Sequence, residues 1–182
     1  MGLHHLMTIQ CNYDSSVVRQ FFSTLVICGD ERRTMKWMTG TTMLQSDFRT
    51  FGQVLGYAFH GRDTPSGHRI ITPLKPSKDT VLAPCLSPDG IAGTFAGLSP
   101  LYASLVGMFR DYIAPSGGNN DKIRGHLVPL LAFAHECATN PGSATGYKLD
   151  VMDYIYHEMT DAMINRLSIP YAPFIMMLVK HM

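Results

Sequence analysis

The sequence predicts a mainly α-helical protein of the α+β class, with a small β-hairpin near the amino end and a long irregular central segment. Apolar residues recur at helical spacing within residues 1–57 and again throughout residues 98–182. Between two of the early helices, a run of β-forming residues flanks a Gly-Asp turn. Residues 58–97 are rich in Gly, Pro, Ser and Thr and keep no period. Because 182 residues suffice for one hydrophobic core, we expect residues 1–182 to form a single domain.

The first helix and the hairpin follow from local signals. Asp14 or Ser15 can cap a helix whose apolar positions, in the segment VVRQFFSTL, lie three or four residues apart. The segment TLVICGDERRTMKWM then places β-formers on both sides of Gly29 and Asp30, a pair that favours a turn. We therefore predict an antiparallel hairpin directly after the first helix.

A second helix and the irregular segment come next. Ser46 is expected to cap the helix and Gly56 to end it, because glycine readily adopts the left-handed conformation found after helices. A structureless segment as long as residues 58–97 is unusual inside a compact domain. The alternatives for this segment are a functional lid, a partner-binding loop and a simple excursion of the chain.

Residues 98–182 carry the signals of several helices. Ser99 followed by Pro100 is typical of a helix start, since proline suits the first helical position. Pro129 falls within the next apolar run and is expected to kink that helix. Asp150 is expected to cap the helix VMDYIYHEMTDAM, and the run FIMMLVKHM predicts a short last helix.

The large apolar residues on the inner faces of these elements are expected to share one core. The predicted core residues are Phe21, Phe22, Trp37, Phe48, Phe51, Leu55, Leu101, Leu105, Phe109, Leu130, Ile155 and Phe174. Methionine is frequent, with 12 residues, and its flexible side chain suits either core filling or an adaptable binding surface. Core filling is the favoured interpretation.

Charge and hydropathy limit the functional classes. Only 16% of the residues are charged and the formal net charge is +1. The pI is about 7.7, whereas nucleic-acid-binding domains usually have a pI above about 9. Nucleic acid as a partner therefore stays open but is not favoured. The longest apolar runs are far shorter than the roughly 20 residues that a membrane span needs, so we predict no membrane span.

Cysteine usage bears on the compartment. The four cysteines include no C-x-x-C pair, and their separations fit no zinc module. Free thiols favour an intracellular protein of the cytoplasm or the nucleus. The early chain is poor in acidic residues but lacks an Arg-rich helix, which leaves mitochondrial targeting open.

One pattern is similar to part of a zinc-protease helix. His157 and Asp161 lie four residues apart in a predicted helix, so both could reach one ion, and Glu158 stands where such helices hold a base. No motif marks a third ligand, and the solvent side of an amphipathic helix is the favoured interpretation. We therefore predict no catalytic residue, no metal and no cofactor. A metal-dependent hydrolase at these three residues is the least favoured alternative.

Several phrases occur in order over nearly the whole chain. They are LMTIQCNYDSSVVRQFFSTL, MKWMTG, FGQVLGY, LSPLY, IAPSGGNNDKIRG, LDVMDYIYHEM and YAPFIMMLV. Together they resemble the plant transposon protein domain, the product of the first open reading frame of Athila-type LTR retrotransposons. The resemblance implies a role on the gag side of such elements, in assembly, nucleic-acid packaging or contact with host proteins. It transfers no catalytic residue to this chain.

The enzymatic motifs of a retroelement are missing from the sequence. It contains no Asp-Thr-Gly or Asp-Ser-Gly protease triplet, no Tyr-x-Asp-Asp polymerase motif and no zinc knuckle. The near-neutral charge also argues against RNA packaging, which usually needs a basic region. Either an excised domain or a short domesticated descendant fits this pattern.

The preferred function is a non-enzymatic interaction domain, derived from a plant retrotransposon and domesticated to bind a host protein. A defence regulator and a selfish toxin or antidote both belong to this class. The alternative is a gag-like structural protein that self-assembles. The expected contact surfaces are the irregular segment from His60 to Gly97 and the apolar end after Pro170. The expected contact residues are His60, Arg62, His68, Arg69, Phe174, Met176 and Met177.

Overall fold

The protein is mainly α-helical and carries a small three-stranded antiparallel sheet, so the predicted fold class is confirmed. The computed structural model describes residues 8–9, 11–56, 78–114, 121–139, 151–165 and 171–182. The chain divides into two compact units: unit 1 comprises Met1–Pro65 and Tyr156–Met182, and unit 2 comprises Ser66–Ile155. The single-domain organisation stays a prediction. No helix among the described residues is long and apolar enough to cross a membrane.

The described residues form helices and strands in a fixed order along the chain. In order, they are α1 (Ser15–Thr24), β1 (Val26–Ile27), β2 (Met35–Thr39), β3 (Thr42–Ser46), α2 (Phe48–Val54), α3 (Lys78–Leu82), α4 (Pro100–Met108), α5 (Val128–Thr139), α6 (Val151–Asn165) and α7 (Ala172–His181). Short 3₁₀ turns cover Ala83–Cys85 and Gly125–Leu127, and a π-helical turn over Phe109–Ile113 extends α4. The boundary between the units falls within α6.

Helix α1 anchors unit 1. Asp14 is its cap, as predicted, and its carboxylate accepts from the Ser16 amide at 2.7 Å. The helix buries Val18 and Phe21, and it packs against β2 and α7. The Phe21 ring lies 5.1 Å from the ring of Trp37, centroid to centroid, so the first helix and the middle strand share one aromatic contact.

The predicted hairpin is present as β1 and β2, but its connection is longer than a tight turn. The Cys28 amide donates to Thr34 O at 2.7 Å, and the Asp30 carboxylate accepts from both the amide and the hydroxyl of Thr34. These hydrogen bonds, the hydroxyl first, lower the pKa of Asp30. Arg33 closes the connection with a left-handed backbone, at φ 52°.

The tight turn of the sheet joins β2 to β3, a strand that the sequence analysis did not anticipate. Gly40 has a φ of 60° at the first central position, and Thr41 follows with a negative φ, which is the pattern of a type II′ hairpin turn. Gln20 on α1 holds this turn. Its Nε2 donates to Gly40 O at 2.7 Å, and its Oε1 accepts from the Gly40 amide at 2.8 Å.

Replacing Gln20 by alanine is expected to remove both hydrogen bonds and to lower the free energy of unfolding by about 1 kcal/mol. Trp37 is the single tryptophan and is fully buried, so its fluorescence in a urea titration reports on unit 1. Gln53→Ala, at an exposed position of α2, is the matched control and should change the midpoint little. Equal midpoints for the two variants would show that the hydrogen bonds between Gln20 and Gly40 add no stability.

Helix α2 begins one residue later than predicted. Asp47 is its cap and accepts from the Thr50 amide at 2.7 Å, whereas Ser46 ends β3 and lies largely buried. The predicted cap was wrong because Ser46 is the last residue of β3. Gly56 follows the helix with φ 79°, as expected for a residue that ends one.

The core of unit 1 contains most of the predicted residues. Trp37, Phe51 and Leu55 are fully buried, and α7 adds Phe174 and further apolar residues. The core prediction for Phe22 was wrong, because its side chain is only half-buried and packs edge-on against Phe21. Helix α7 contacts both α1 and α2, so this core joins the two stretches of chain that form the unit.

The core of unit 2 departs from the predicted stripe on α4. Ser99 and Pro100 begin the helix as predicted. Leu101, however, is 61% exposed, and Leu105 is only half-buried. The buried stripe consists of Tyr102, Val106, Phe109 and Ile113. Leu101 precedes the first of these residues by one position, which turns it about 100° away from the core.

Helix α5 begins at Val128, which overturns the predicted kink. Pro129 lies in the first turn of the helix, where backbone amides make no hydrogen bond within the helix. The missing amide of proline therefore costs no helical hydrogen bond there. The helix packs against α3 and α4. Leu130 is fully buried on its inner face, as predicted.

The described end of the predicted irregular segment is ordered. It begins with α3, and residues 86–98 then form a closed loop, here called the Ω loop. An antiparallel bridge joins Leu86 to Leu98, and the Ser87 amide donates to Gly97 O at 3.0 Å. The first part of the predicted segment, up to residue 77, lies outside the described residues.

Candidate interaction surface

The outer face of the sheet in unit 1 exposes apolar side chains from neighbouring strands. Side chains alternate across a strand, and the register places Val26, Lys36 and Gln45 in one row and Met38 beside Met43 in the next. Val26 is 57% exposed and Met43 is 63% exposed. These five residues are called the outer face from here on.

The opposite side of the same strands explains why the outer face is well supported. Met35 and Trp37 alternate with the outer residues of β2 and are fully buried. Because both are held in the core of unit 1, the outer face is presented on a fixed scaffold. Sequence patterning had marked both strand residues and methionines, but a third strand was needed to place them side by side.

Among the described residues, the backbone geometry leaves the β3 edge of the sheet unpaired. Thr39 and Thr42 flank a two-residue turn and therefore form a hydrogen-bonded pair. In an antiparallel ladder such pairs alternate with non-hydrogen-bonded ones. Met43 and Gln45 fall at the non-hydrogen-bonded positions, so their N–H and C=O groups point away from β2.

A contact on the far side of β2 supports this assignment. Met38 is the cross-strand neighbour of Met43, and its amide donates to the Thr24 hydroxyl of α1 at 2.9 Å, away from β3. Within the described part of the chain, no backbone hydrogen bond from outside the sheet reaches Met43 or Gln45. The open edge therefore offers two donors and two acceptors in a row.

The pattern that is similar to part of a zinc-protease helix, at His157, Glu158 and Asp161, lies on α6. His157 packs edge-on against Tyr156 at 5.5 Å, and the Arg33 guanidinium lies 4.3 Å above the same tyrosine ring. In the described ranges, no group of three His, Cys, Asp or Glu side chains comes together as a metal site. His157, Glu158 and Asp161 thus gain no third ligand from the described residues.

The predicted contact residues separate into three groups. His60, Arg62, His68 and Arg69 lie outside the described residues. Phe174 is only 3% exposed and belongs to the core, so it was wrongly placed among contact residues.

The remaining predicted contacts stay predictions. Met176 and Met177 are half-buried on α7. The Ω loop, which ends the predicted contact segment, presents Ile91 with 72% of its surface exposed. This loop is the described part of the segment that could meet a partner.

Unit 2 contains two buried polar contacts that sequence reasoning missed. The Tyr102 hydroxyl lies 2.7 Å from His135 Nδ1, and the Tyr154 hydroxyl donates to His126 O at 2.6 Å. Burial raises the pKa of the Tyr102 phenol, and the nearby Cys85 adds to the rise. No local motif connects these residues, because each pair is about thirty positions apart in sequence.

The thiols of unit 2 lack the environment of a nucleophile. Burial raises the pKa of Cys85, which is fully buried, and burial together with Glu136 raises the pKa of Cys137. Both side chains therefore stay protonated near neutral pH, whereas a nucleophilic cysteine reacts as the thiolate.

No protein-family model, curated protein or solved structure matches the chain.

Proposed function

We propose that this chain is a non-enzymatic interaction domain that binds a host protein through the outer face of its sheet. The carrying observation is the outer face itself. Val26 and Met43 are exposed on the two strands that flank β2, and the other side of β2, formed by Met35 and Trp37, is fully buried. Single apolar residues scattered on a surface are common, but apolar side chains grouped on a rigid sheet beside an unpaired strand edge are typical of protein-binding sheets.

The chemistry of the outer face favours a protein partner over nucleic acid. Of its five residues, only Lys36 is charged, whereas binding to a phosphate backbone uses several cations. Met38 and Met43 are cross-strand neighbours, and methionine side chains adapt to apolar partners of different shape. The partner is therefore expected to present an apolar strip with an acidic or polar margin opposite Lys36.

The proposal includes an origin in a plant retrotransposon. It is supported by the ordered phrases that resemble the plant transposon protein domain. One of them, MKWMTG, forms β2 and its turn and contributes Lys36 and Met38 to the outer face. A domesticated chain of this kind would act by binding, in the cytoplasm or the nucleus.

Self-assembly in the manner of a gag protein is the second candidate. The open edge of β3 favours it, because unpaired backbone groups in a row can accept another strand.

Capture with surface variants tests the proposed function. Purified wild-type chain is expected to retain one host protein from nuclease-treated plant extract in near-equal molar amount. Val26→Glu places a carboxylate opposite Lys36, keeps the strand pairing and removes the apolar contact, so at least tenfold less partner should be retained. Leu101→Glu, an equally exposed position in unit 2, is the matched control and should retain the partner fully. Equal retention by both variants, or none by wild type, contradicts the proposal.

A further inference from the structure

We propose that β3 pairs with β3 of a second copy of this chain, antiparallel and centred on Leu44, to form a continuous six-stranded sheet. The inference rests on the proposed function, since it extends the same surface and names a second occupant for its edge. It goes beyond that function because the host protein and the second copy would bind at different places on the sheet.

The backbone fits a second copy of itself. Met43 and Gln45 carry the outward N–H and C=O groups and stand on either side of Leu44. When two such strands run antiparallel about a two-fold axis at Leu44, Met43 meets Gln45 of the second copy, and Gln45 meets its Met43. Both pairs are then hydrogen-bonded pairs, with four backbone hydrogen bonds in all. No other register satisfies all the outward groups of both strands.

The side chains agree with this pairing. The strand TMLQS contains no charged residue and no proline, although these residues usually protect an edge strand from pairing. Two copies would therefore bring no like charges face to face. Leu44 is half-buried on the inner side and would lie directly against Leu44 of the second copy, at the closely spaced non-hydrogen-bonded position.

The pairing would join the outer faces of the two copies into one larger surface. The row that holds Val26, Lys36 and Gln45 would continue into Met43 and Met38 of the second copy. The exposed Met43 would gain the Gln45 side chain of the second copy as a neighbour. A single partner could then contact both outer faces at once, which raises avidity without any new type of contact.

Sedimentation of the full chain tests the pairing. Wild type is expected to change from one chain of 20.2 kDa to twice that mass as its concentration rises. Gln45→Pro removes an outward amide that the internal ladder does not use, so the fold should persist and the dimer should be lost. Gln45→Thr keeps the amide and is the matched control. A wild-type chain that stays monomeric up to millimolar concentration, or a dimer indifferent to Gln45→Pro, overturns the inference.

Disulfide trapping tests the register independently. Leu44→Cys places a thiol against its own copy across the two-fold axis, so mild oxidation should yield a covalent dimer that reductant releases. Met43→Cys would face Gln45 of the second copy and should yield at least fivefold less. Wild type, with its four native cysteines, gives the background. Equal trapping at both positions contradicts the proposed register.

The two proposals fail in different ways. A monomeric chain that still captures a host protein, and loses it with Val26→Glu, removes the pairing and leaves the binding function. A chain that dimerises through β3 but captures no host protein removes the binding function and leaves self-assembly.

Discussion

Replacement of Gly97 by alanine is expected to lower the stability of unit 2 by several kcal/mol. Gly97 is buried where the two sides of the Ω loop approach each other most closely. A Cβ at this position would overlap the backbone N, C and O atoms of Ile91. Backbone atoms cannot rotate out of the way as a flexible side chain can. The loop must therefore open, and overpacking of this kind costs about 1–3 kcal/mol or more.

The same close approach appears from the other side of the loop. A Cβ at Gly90 would overlap the carbonyl group of Gly97, so Gly90→Ala should have a similar effect. Gly125→Ala is the matched control, because a Cβ at Gly125 would have no neighbouring atom within 4 Å among the described residues. It should be neutral or slightly stabilising.

Hydrogen exchange gives a local measurement for this prediction. The Ser87 amide donates to Gly97 O, and the Ser99 amide donates to Cys85 O at 2.9 Å. Both amides should lose protection in Gly97→Ala and keep it in Gly125→Ala. Unchanged protection in Gly97→Ala would mean that the loop absorbs the methyl group without opening.

Unit 2 is expected to lose about 3 kcal/mol of stability between pH 6.5 and pH 4 because of His126. Burial of the imidazole lowers the pKa of His126 from 6.5 to about 4, and the positive charge of Arg124 adds to the decrease. Its Nε2 is buried without a hydrogen-bond partner in the described residues. Protonation would therefore place an uncompensated charge beside another cation.

The sign follows from proton linkage. Between these two pH values the unfolded chain binds a proton at His126 that the folded chain does not bind. The contribution is fully present above pH 6.5 and falls by about 1.4 kcal/mol per pH unit as the pH decreases. Below pH 4 both states carry the proton, and the loss is complete.

The variant His126→Leu isolates this contribution. It removes the titrating group and a buried polar atom, so unfolding by urea should depend much less on pH between 6.5 and 4. His181→Gln, at an exposed position at the end of α7, should keep the wild-type slope. Parallel slopes for wild type and His126→Leu would assign the acid sensitivity to other groups.

Local signals in the sequence were sufficient for most of the helices. Asp14 and Ser99 directly precede helices as predicted, because the signals involve near neighbours: the Asp14 carboxylate accepts from the Ser16 amide, and Pro100 follows Ser99 at the first helical position. On α6, Ile155 is fully buried as predicted, and Val151 and Met159, one turn away on either side, are buried with it. These features need only the residues of one element.

Features that depend on contacts between elements were not foreseen. The sequence of β3, TMLQS, does not alternate apolar and polar residues, and no Asn-Gly or Asp-Gly turn precedes it. The turn that leads into it is held by hydrogen bonds between Gly40 and Gln20, which lies twenty residues earlier. Leu101 was placed in the core because periodicity alone cannot distinguish two adjacent positions of one apolar stripe. The outer face was not predicted either, because it forms only when three strands pair in register.

Unit 1 is completed by a stretch of chain that is synthesised after unit 2. Helix α7 packs against α1 and α2, yet the whole of unit 2 lies between them in sequence. On the ribosome, α1 and the sheet emerge first and lack the surface that completes their core. Unit 2 is one continuous stretch and can fold in the meantime.

Because of this order of synthesis, premature termination after unit 2 would damage unit 1 and leave the sequence of unit 2 intact. A nascent chain that stops before Ala172 would retain the sequence of unit 2 but deprive α1 and α2 of the helix that buries them. Such a product would expose the apolar faces of α1 and α2 that α7 covers, together with the open edge of the sheet. Truncated chains of this protein are therefore expected to aggregate through unit 1 and to be degraded.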